Sequence, residues 1–344
     1  MVSHELDVVV TRGSRVESSH RVHAAVVDAC DRLLGGARDS ALVTFWRSCA
    51  KPFQVMPLLE CGGFDSYGWG DEQLAIACGS HGGEPEHIAI VEGMLATLGL
   101  EEGDLACGPH EPLTPRGAKI ARESGFRIKR THNNCSGKHT AMLALAKYNG
   151  WPIKGYEQPE HPVQQAMLHQ VALWTGVRPV QIEVAVDGCG AATFGLPLEG
   201  MARAYARLGS AAQRGEEIPQ RIVAAIGRHP FLVGGTDRFD SILLEETNGS
   251  VIAKVGAEGV HSALILESST GVALKAEDGS PRAQHPALLR LLQDLDSLPD
   301  SLPARLADLL RKPVRNSRGE VVGETTVRVG PEMSAGAPAV AAIH

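Results

Sequence analysis

Aromatic residues are scarce in this 344-residue chain, at 4%. Stacking platforms for bases or sugars are therefore few. Lys and Arg number 33 against 40 Asp and Glu, for a net charge of −7, and the two signs are mixed along the chain. No basic stripe interleaves with aromatics, which argues against a nucleic-acid partner. No window offers the roughly 18 uninterrupted apolar residues of a membrane span. The N-terminus, Met1-Val2-Ser3-His4-Glu5-Leu6-Asp7, lacks the basic and then apolar run of a signal peptide. The seven cysteines are odd in number and irregularly spaced. Without an export signal they read as reduced thiols of a cytoplasmic protein. Cys30, Cys61 and Cys78 sit in apolar runs, as core filler does.

Apolar residues make up 43% of the chain and charged residues 21%. That describes a soluble globular protein with one large domain, placed at residues 1–330. The Ala-, Pro- and Gly-rich tail over 331–344 is expected to be disordered. Strand patterns are expected at 5–12, 41–47, 182–186, 250–255, 259–267, 270–275 and 320–329. Helices are expected at 18–34, 51–60, 71–78, 85–98, 140–148, 161–175, 197–208, 217–227, 286–295 and 302–311, with an irregular loop at 106–115. Strands gather toward the chain ends and helices in the middle. This predicts an α+β fold in which the terminal segments form one largely antiparallel sheet packed with a helical region.

Four patterns carry chemistry. Ser48-Cys49-Ala50-Lys51 puts a hydroxyl and an amine one helical turn apart, so a neutral lysine can take the serine proton. This S-x-x-K spacing is the nucleophile motif of class A β-lactamases and penicillin-binding proteins. With 21 serines and nine lysines, chance supplies about half a match. The bland alternative is a serine N-cap beside a solvated lysine. Lys254-Val255-Gly256 in a strand is similar to the K-T-G element of the same enzymes, against a plain edge lysine. Gly79-Ser80-His81-Gly82-Gly83 offers a second hydroxyl and backbone N–H groups for an oxyanion, against an ordinary interhelical loop. Cys135-Ser136-Gly137-Lys138-His139 and Asp187-Gly188-Cys189-Gly190 place two thiols in glycine turns. They could share a zinc ion if His139, Lys138 or water completed the set, or they could be unrelated.

Taken together, the blocks at 46–54, 77–84, 132–139, 186–190 and 254–259, in that order, resemble the asparaginase II family of rhizobial-type L-asparaginases. The resemblance covers about residues 5–330. It implies a fold similar to serine β-lactamases and serine-dependent glutaminases, and hydrolysis of L-asparagine. Ser48 would be the nucleophile and Lys51 its base, with Ser80 and Lys254 as a second Ser–Lys pair. It also implies a zinc ion held by Cys135, Lys138 and Cys189, and a homodimer. For the substrate's charged ends, Arg47 suits the carboxylate and Asp187 and Glu258 suit the ammonium, and His81 and His139, within the same blocks, are further expected substrate-binding residues. For Arg47, Asp187 and Glu258 the plain alternative is surface ion pairing. Two other functions stay open. One is a glutaminase or other serine amidohydrolase of β-lactamase type. The other is a non-catalytic zinc-binding ligand sensor.

Overall fold

The computed structural model describes residues 2–125 and 127–333. Eleven strands are described: β1 (Val2–Arg12), β2 (Arg15–Val27), β3 (Leu33–Ala37), β4 (Val43–Phe45), β5 (Glu183–Val186), β6 (Ala192–Pro197), β7 (Val251–Val255), β8 (Val260–Ile265), β9 (Thr270–Ala276), β10 (Lys312–Arg315) and β11 (Val321–Met333). Eight form one sheet in the order β10-β11-β1-β3-β2-β9-β8-β7, and β4-β6-β5 form a second. All pairings are antiparallel except β1 with β3. The architecture is α+β, with the large sheet drawn from the two ends of the chain, as the pattern predicts.

β2 overturns the helix expected over 18–34. Its apolar run is buried on both faces. Val22, Ala24 and Val26 point into one core cluster, and Ala25 and Val27 into the other. The helix Pro281–Asp294 covers the first face and the helix Leu198–Gln213 the second. A strand buried on both sides shows no alternation of apolar and polar residues, so it cannot be told from a helix by periodicity.

Other boundaries moved for local reasons. The strand expected at 41–47 is only Val43–Phe45, because a 3-10 turn begins at Arg47. The helix expected at 140–148 begins at Ser136, which brings Lys138 and His139 onto it. Helices Pro115–Glu123 and Phe239–Glu246 and strands β6 and β10 were not expected. Residues 331–333, expected to be disordered, continue β11, and Ser3 and His4 of β1 pair with Met333 and Glu332. The rest of the predicted tail, 334–344, lies outside the described residues. Among the described residues no helix is long and apolar enough to cross a membrane.

Candidate active site

The turn carrying Ser48 is bolted to the core on either side. Trp46 stacks on Phe53 with ring centroids 5.1 Å apart, and its Nε1–H donates to Ser262 Oγ at 3.0 Å. The Tyr205 hydroxyl donates to the Cys49 carbonyl at 2.8 Å, and the Cys49 thiol donates to the Lys254 carbonyl at 2.9 Å. The turn thus has a fixed place against β7 and β8. Arg47 lies in the left-handed region at φ 53°. For a residue with a Cβ this costs on the order of 1 kcal/mol. Such strain persists only where its surroundings impose it, as the flanking anchors do here.

Lys51 opens the short helix Lys51–Gln54, and its N–H returns to the Ser48 carbonyl. Its side chain is buried, with the amine 3.0 Å from Ser80 Oγ, 2.5 Å from the Gly79 carbonyl and 3.1 Å from the Asn134 carbonyl. Lys254, from β7, reaches the same Ser80 Oγ at 2.8 Å and donates to the Val255 carbonyl at 2.9 Å. One hydroxyl therefore joins two buried amines. The structure brings Lys51, Ser80 and Lys254 together directly. Ser48 stands half-buried one turn before Lys51, and its hydroxyl bonds to no protein group among the described residues.

Burial pushes both ammonium groups toward the neutral form. Lys254 is lowered to about 8, mainly by burial and further by Lys51, with Asp240 opposing. Lys51 is lowered by burial and by Lys138, with Cys135 opposing. Two like charges sharing one buried hydroxyl cannot both be held cheaply.

The loop 79–83 is less free to bind an oxyanion than its glycines suggest. The Gly79 N–H bonds to the Ile76 carbonyl, that of Ser80 to the Val233 carbonyl, and that of Gly83 to His81 Nδ1. His81 is fully buried. Since Nδ1 accepts, its Nε2–H donates to Ser136 Oγ at 2.8 Å. Burial and His87 hold His81 well below its usual range, so it stays neutral and positions the loop.

At the N-terminus of the helix Ser136–Tyr148, Lys138 reaches Cys189 Sγ at 3.3 Å. The helix sits close against Asp71–Cys78 because residue 137 is glycine. A Cβ there would lie 2.5 Å from the Ile76 carbonyl oxygen. Cys135, Lys138 and Cys189 are all buried. A hydrogen bond from Cys135 outweighs burial and, with Lys138, pushes the Cys189 thiol down to about 5; the same bond and burial push Cys135 up. Burial lowers Lys138, but Cys189, Cys135 and Asp187 more than compensate and keep it an ammonium. The donor set, two sulfurs and one amine, fits a soft divalent ion if Lys138 gives up its proton. Among the described residues there is no group of three or more His, Cys, Asp or Glu that could hold a metal. A zinc here would thus need Lys138 or water to complete its shell. His139 Nδ1 meets the Tyr156 hydroxyl at 2.7 Å, while its Nε2 is buried without a protein partner.

The expected substrate anchors are arranged unevenly. Arg47 Nε and Nη2 donate to Asp187 Oδ1 at 3.0 and 2.8 Å, so these two residues pair with each other. Burial opposes the Asp187 charge, but Lys138 and Arg47 hold its carboxyl below the usual range. Glu258 is exposed in the turn between β7 and β8, with its carboxylate over Gly279 and its field on Lys275. Sequence reasoning missed Asp240, buried behind Lys254. It lies in a stretch, Arg238-Phe239-Asp240, that carries no motif signal.

A family model described as L-asparaginase II matches residues 8–327. No curated protein matches the chain. A β-lactamase from Mycobacterium bovis is 11% identical with a TM-score of 0.40, over 80% of this chain and 95% of that one. Mglu in its native form is 14% identical with a TM-score of 0.44, over 82% of this chain and 66% of that one.

Proposed function

This chain belongs to the asparaginase II family, and from that premise we propose that it hydrolyses L-asparagine to L-aspartate and ammonia through an acyl-enzyme on Ser48. The observation that carries the reading is the hydrogen-bonded bridge from Lys51 through Ser80 to Lys254, with Ser48 one turn before Lys51 and its hydroxyl unengaged among the described residues. Ser48 Oγ attacks the side-chain amide carbon, and neutral Lys51 takes its proton. The Ser48 backbone N–H is the oxyanion donor of this turn, because the Cys49 N–H is already bonded to the Trp46 carbonyl and the Lys51 N–H to the Ser48 carbonyl. As the C–N bond breaks, Lys254 passes a proton through the Ser80 hydroxyl to the departing nitrogen, which leaves as ammonia. Lys51 returns its proton to the bridge, so the pair is reset. Water then attacks the ester carbonyl while Lys51 takes its proton; the C–O bond to Ser48 breaks, Lys51 gives that proton to Ser48 Oγ, and L-aspartate departs.

Arg47 is the partner for the substrate carboxylate and Asp187 for its ammonium. Binding exchanges their mutual ion pair for two pairs with substrate, so the resting contact keeps both groups oriented. His81 and His139 shape the pocket from behind. Zinc, if bound, would be held by Cys135, Lys138 and Cys189. Its positive charge would fix the Asp187–Cys189 turn and the substrate end near it. The protein is further proposed to be cytoplasmic and homodimeric.

The test is ammonia release from L-asparagine and from L-glutamine by the wild type and by Ser48→Ala. Fast turnover of asparagine, slow turnover of glutamine and a dead variant support the reading. Preference for glutamine keeps the chemistry and changes the substrate, since one methylene is discriminated by only about 1–3 kcal/mol. No ammonia from either amide, or a fully active variant, sinks Ser48 as the nucleophile.

A further inference from the structure

Behind Lys254 lies a buried carboxylate that the reaction as written does not use. Asp240 stands in the first turn of the helix Phe239–Glu246 and is 2% exposed. Its Oδ2 accepts the Val255 N–H at 2.8 Å, and its Oδ1 accepts His261 Nε2–H at 3.0 Å. Val255 and His261 face each other across β7 and β8. Both donors thus belong to the strand pair that carries Lys254, and the carboxylate is fixed relative to that lysine. Oδ2 lies 3.8 Å from Lys254 Nζ. That is too long for a hydrogen bond and short enough for a strong field at low dielectric. The amine's hydrogens are left for Ser80 and the Val255 carbonyl.

We infer that Asp240 is a positioning residue that holds buried Lys254 as an ammonium aimed at Ser80 without competing for its hydrogen bonds. The catalytic consequence rests on the reaction proposed above; the electrostatic one does not. The groups facing Nζ come from each element packed there. Lys51 stands across Ser80, Arg238 precedes the helix of Asp240, and Cys49 belongs to the Ser48 turn. Cys78 ends the helix Asp71–Cys78, and His261 lies on β8. Lys51 and Arg238 oppose a charge on Lys254, and Asp240 is the carboxylate that favours it. Burial opposes the charge of Asp240 itself, but His261, Lys254 and the Val255 N–H hold its carboxyl down to about 2. It therefore stays ionised through any working pH.

The site also makes an isosteric test practical. His261 Nδ1 is buried without a protein partner. In Asp240→Asn the amide oxygen can keep the Val255 N–H, and the amide N–H can donate to His261 Nε2 after a tautomer change. The charge disappears while the hydrogen bonds survive.

The measurement is a pH titration of the Lys254 Nζ resonance in lysine-labelled protein, assigned by its loss in Lys254→Met. It is run alongside the pH profile of ammonia release from L-asparagine. In Asp240→Asn the Lys254 midpoint should fall by about one pH unit or more. The alkaline limb of kcat should move down with it, and KM should change little. Asp240→Glu, which keeps the charge, should titrate closer to the wild type. An unchanged midpoint in Asp240→Asn overturns the inference. So does a wild-type Lys254 already neutral at pH 6, which can be read even if the variant does not fold. A shifted midpoint in a protein that releases no ammonia supports the role of Asp240 and sinks the proposed reaction instead.

Discussion

Lys51 and Lys254 aim their amines at a single oxygen, that of Ser80, from 3.0 and 2.8 Å. Among the described residues this hydroxyl is the only hydrogen-bond partner the two amines share. Ser80→Ala should therefore cut kcat by at least about 100-fold, the range of general acid–base catalysis. Losing the acceptor shared by two buried amines should also cost about 1–3 kcal/mol of stability, so kcat is compared at a temperature where the variant is fully folded. A variant with more than a tenth of wild-type kcat would show that the bridge does not carry the proton.

The same burial has a thermodynamic signature. Lys254 titrates near 10.5 in the unfolded chain and near 8 in the fold. Between those values the unfolded state holds more protons, so stability rises with pH across that window. Below pH 8 both states are protonated and the cost is fully present. The shift corresponds to roughly 3 kcal/mol, and Lys51 adds to the same trend. Buried thiols held up to about 12, such as Cys49 and Cys78, pull the other way above pH 9, so the signature is a difference: in urea unfolding from pH 7 to 10.5, the stability of the wild type relative to Lys254→Met should rise. Equal slopes would mean that Lys254 is not desolvated in the native protein.

Arg47 combines a strained backbone with an ion pair, and two substitutions separate them. Arg47→Ala and Arg47→Gly both free Asp187 and should raise KM for L-asparagine at least tenfold. Glycine adopts the left-handed conformation without steric cost, though it is also more flexible when unfolded. Arg47→Gly should therefore be no less stable than Arg47→Ala, and more stable by up to about 1 kcal/mol. Denaturant midpoints decide this. An Arg47→Ala variant clearly more stable than Arg47→Gly would show that the turn is unstrained.

For the sulfur cluster, the expected result is one zinc per chain by elemental analysis, lost in Cys189→Ser and strongly weakened in Lys138→Met. Chelation should lower the melting temperature of the wild type and leave Cys189→Ser unaffected, because a ligand stabilises only the state that binds it. A wild type that takes up no zinc from solution would leave Lys138 as the ammonium partner of the Cys189 thiolate.

Packing gives one prediction away from the site. The backbone of Gly271 in β9 runs against the helix Leu198–Gln213 so closely that a Cβ would collide with the Ala202 carbonyl and the Ala206 N–H. Both obstacles are backbone, so neither can rotate aside. Gly271→Ala should cost about 3 kcal/mol or more, seen as a lowered urea midpoint. A change below 1 kcal/mol would mean that the helix shifts freely on the sheet.

The sequence alone determined which residues are chemically able to act. Ser48 and Lys51 are three apart on consecutive turns, and local backbone geometry makes them neighbours in any helical context. The α+β division was legible too, because β7, β8 and β9 are short apolar runs closed by turns such as Gly256–Gly259 and Ser268–Ser269. The two-sided burial of β2 was not legible, since a fully buried strand and a buried helix share the same run of Ala and Val. Tertiary structure alone decided that Lys51 turns toward Ser80, that Arg47 pairs with Asp187, and that Glu258 sits apart over Gly279. It alone also put Asp240 behind Lys254. Such choices depend on the field and burial summed over distant elements, and no local pattern encodes that sum.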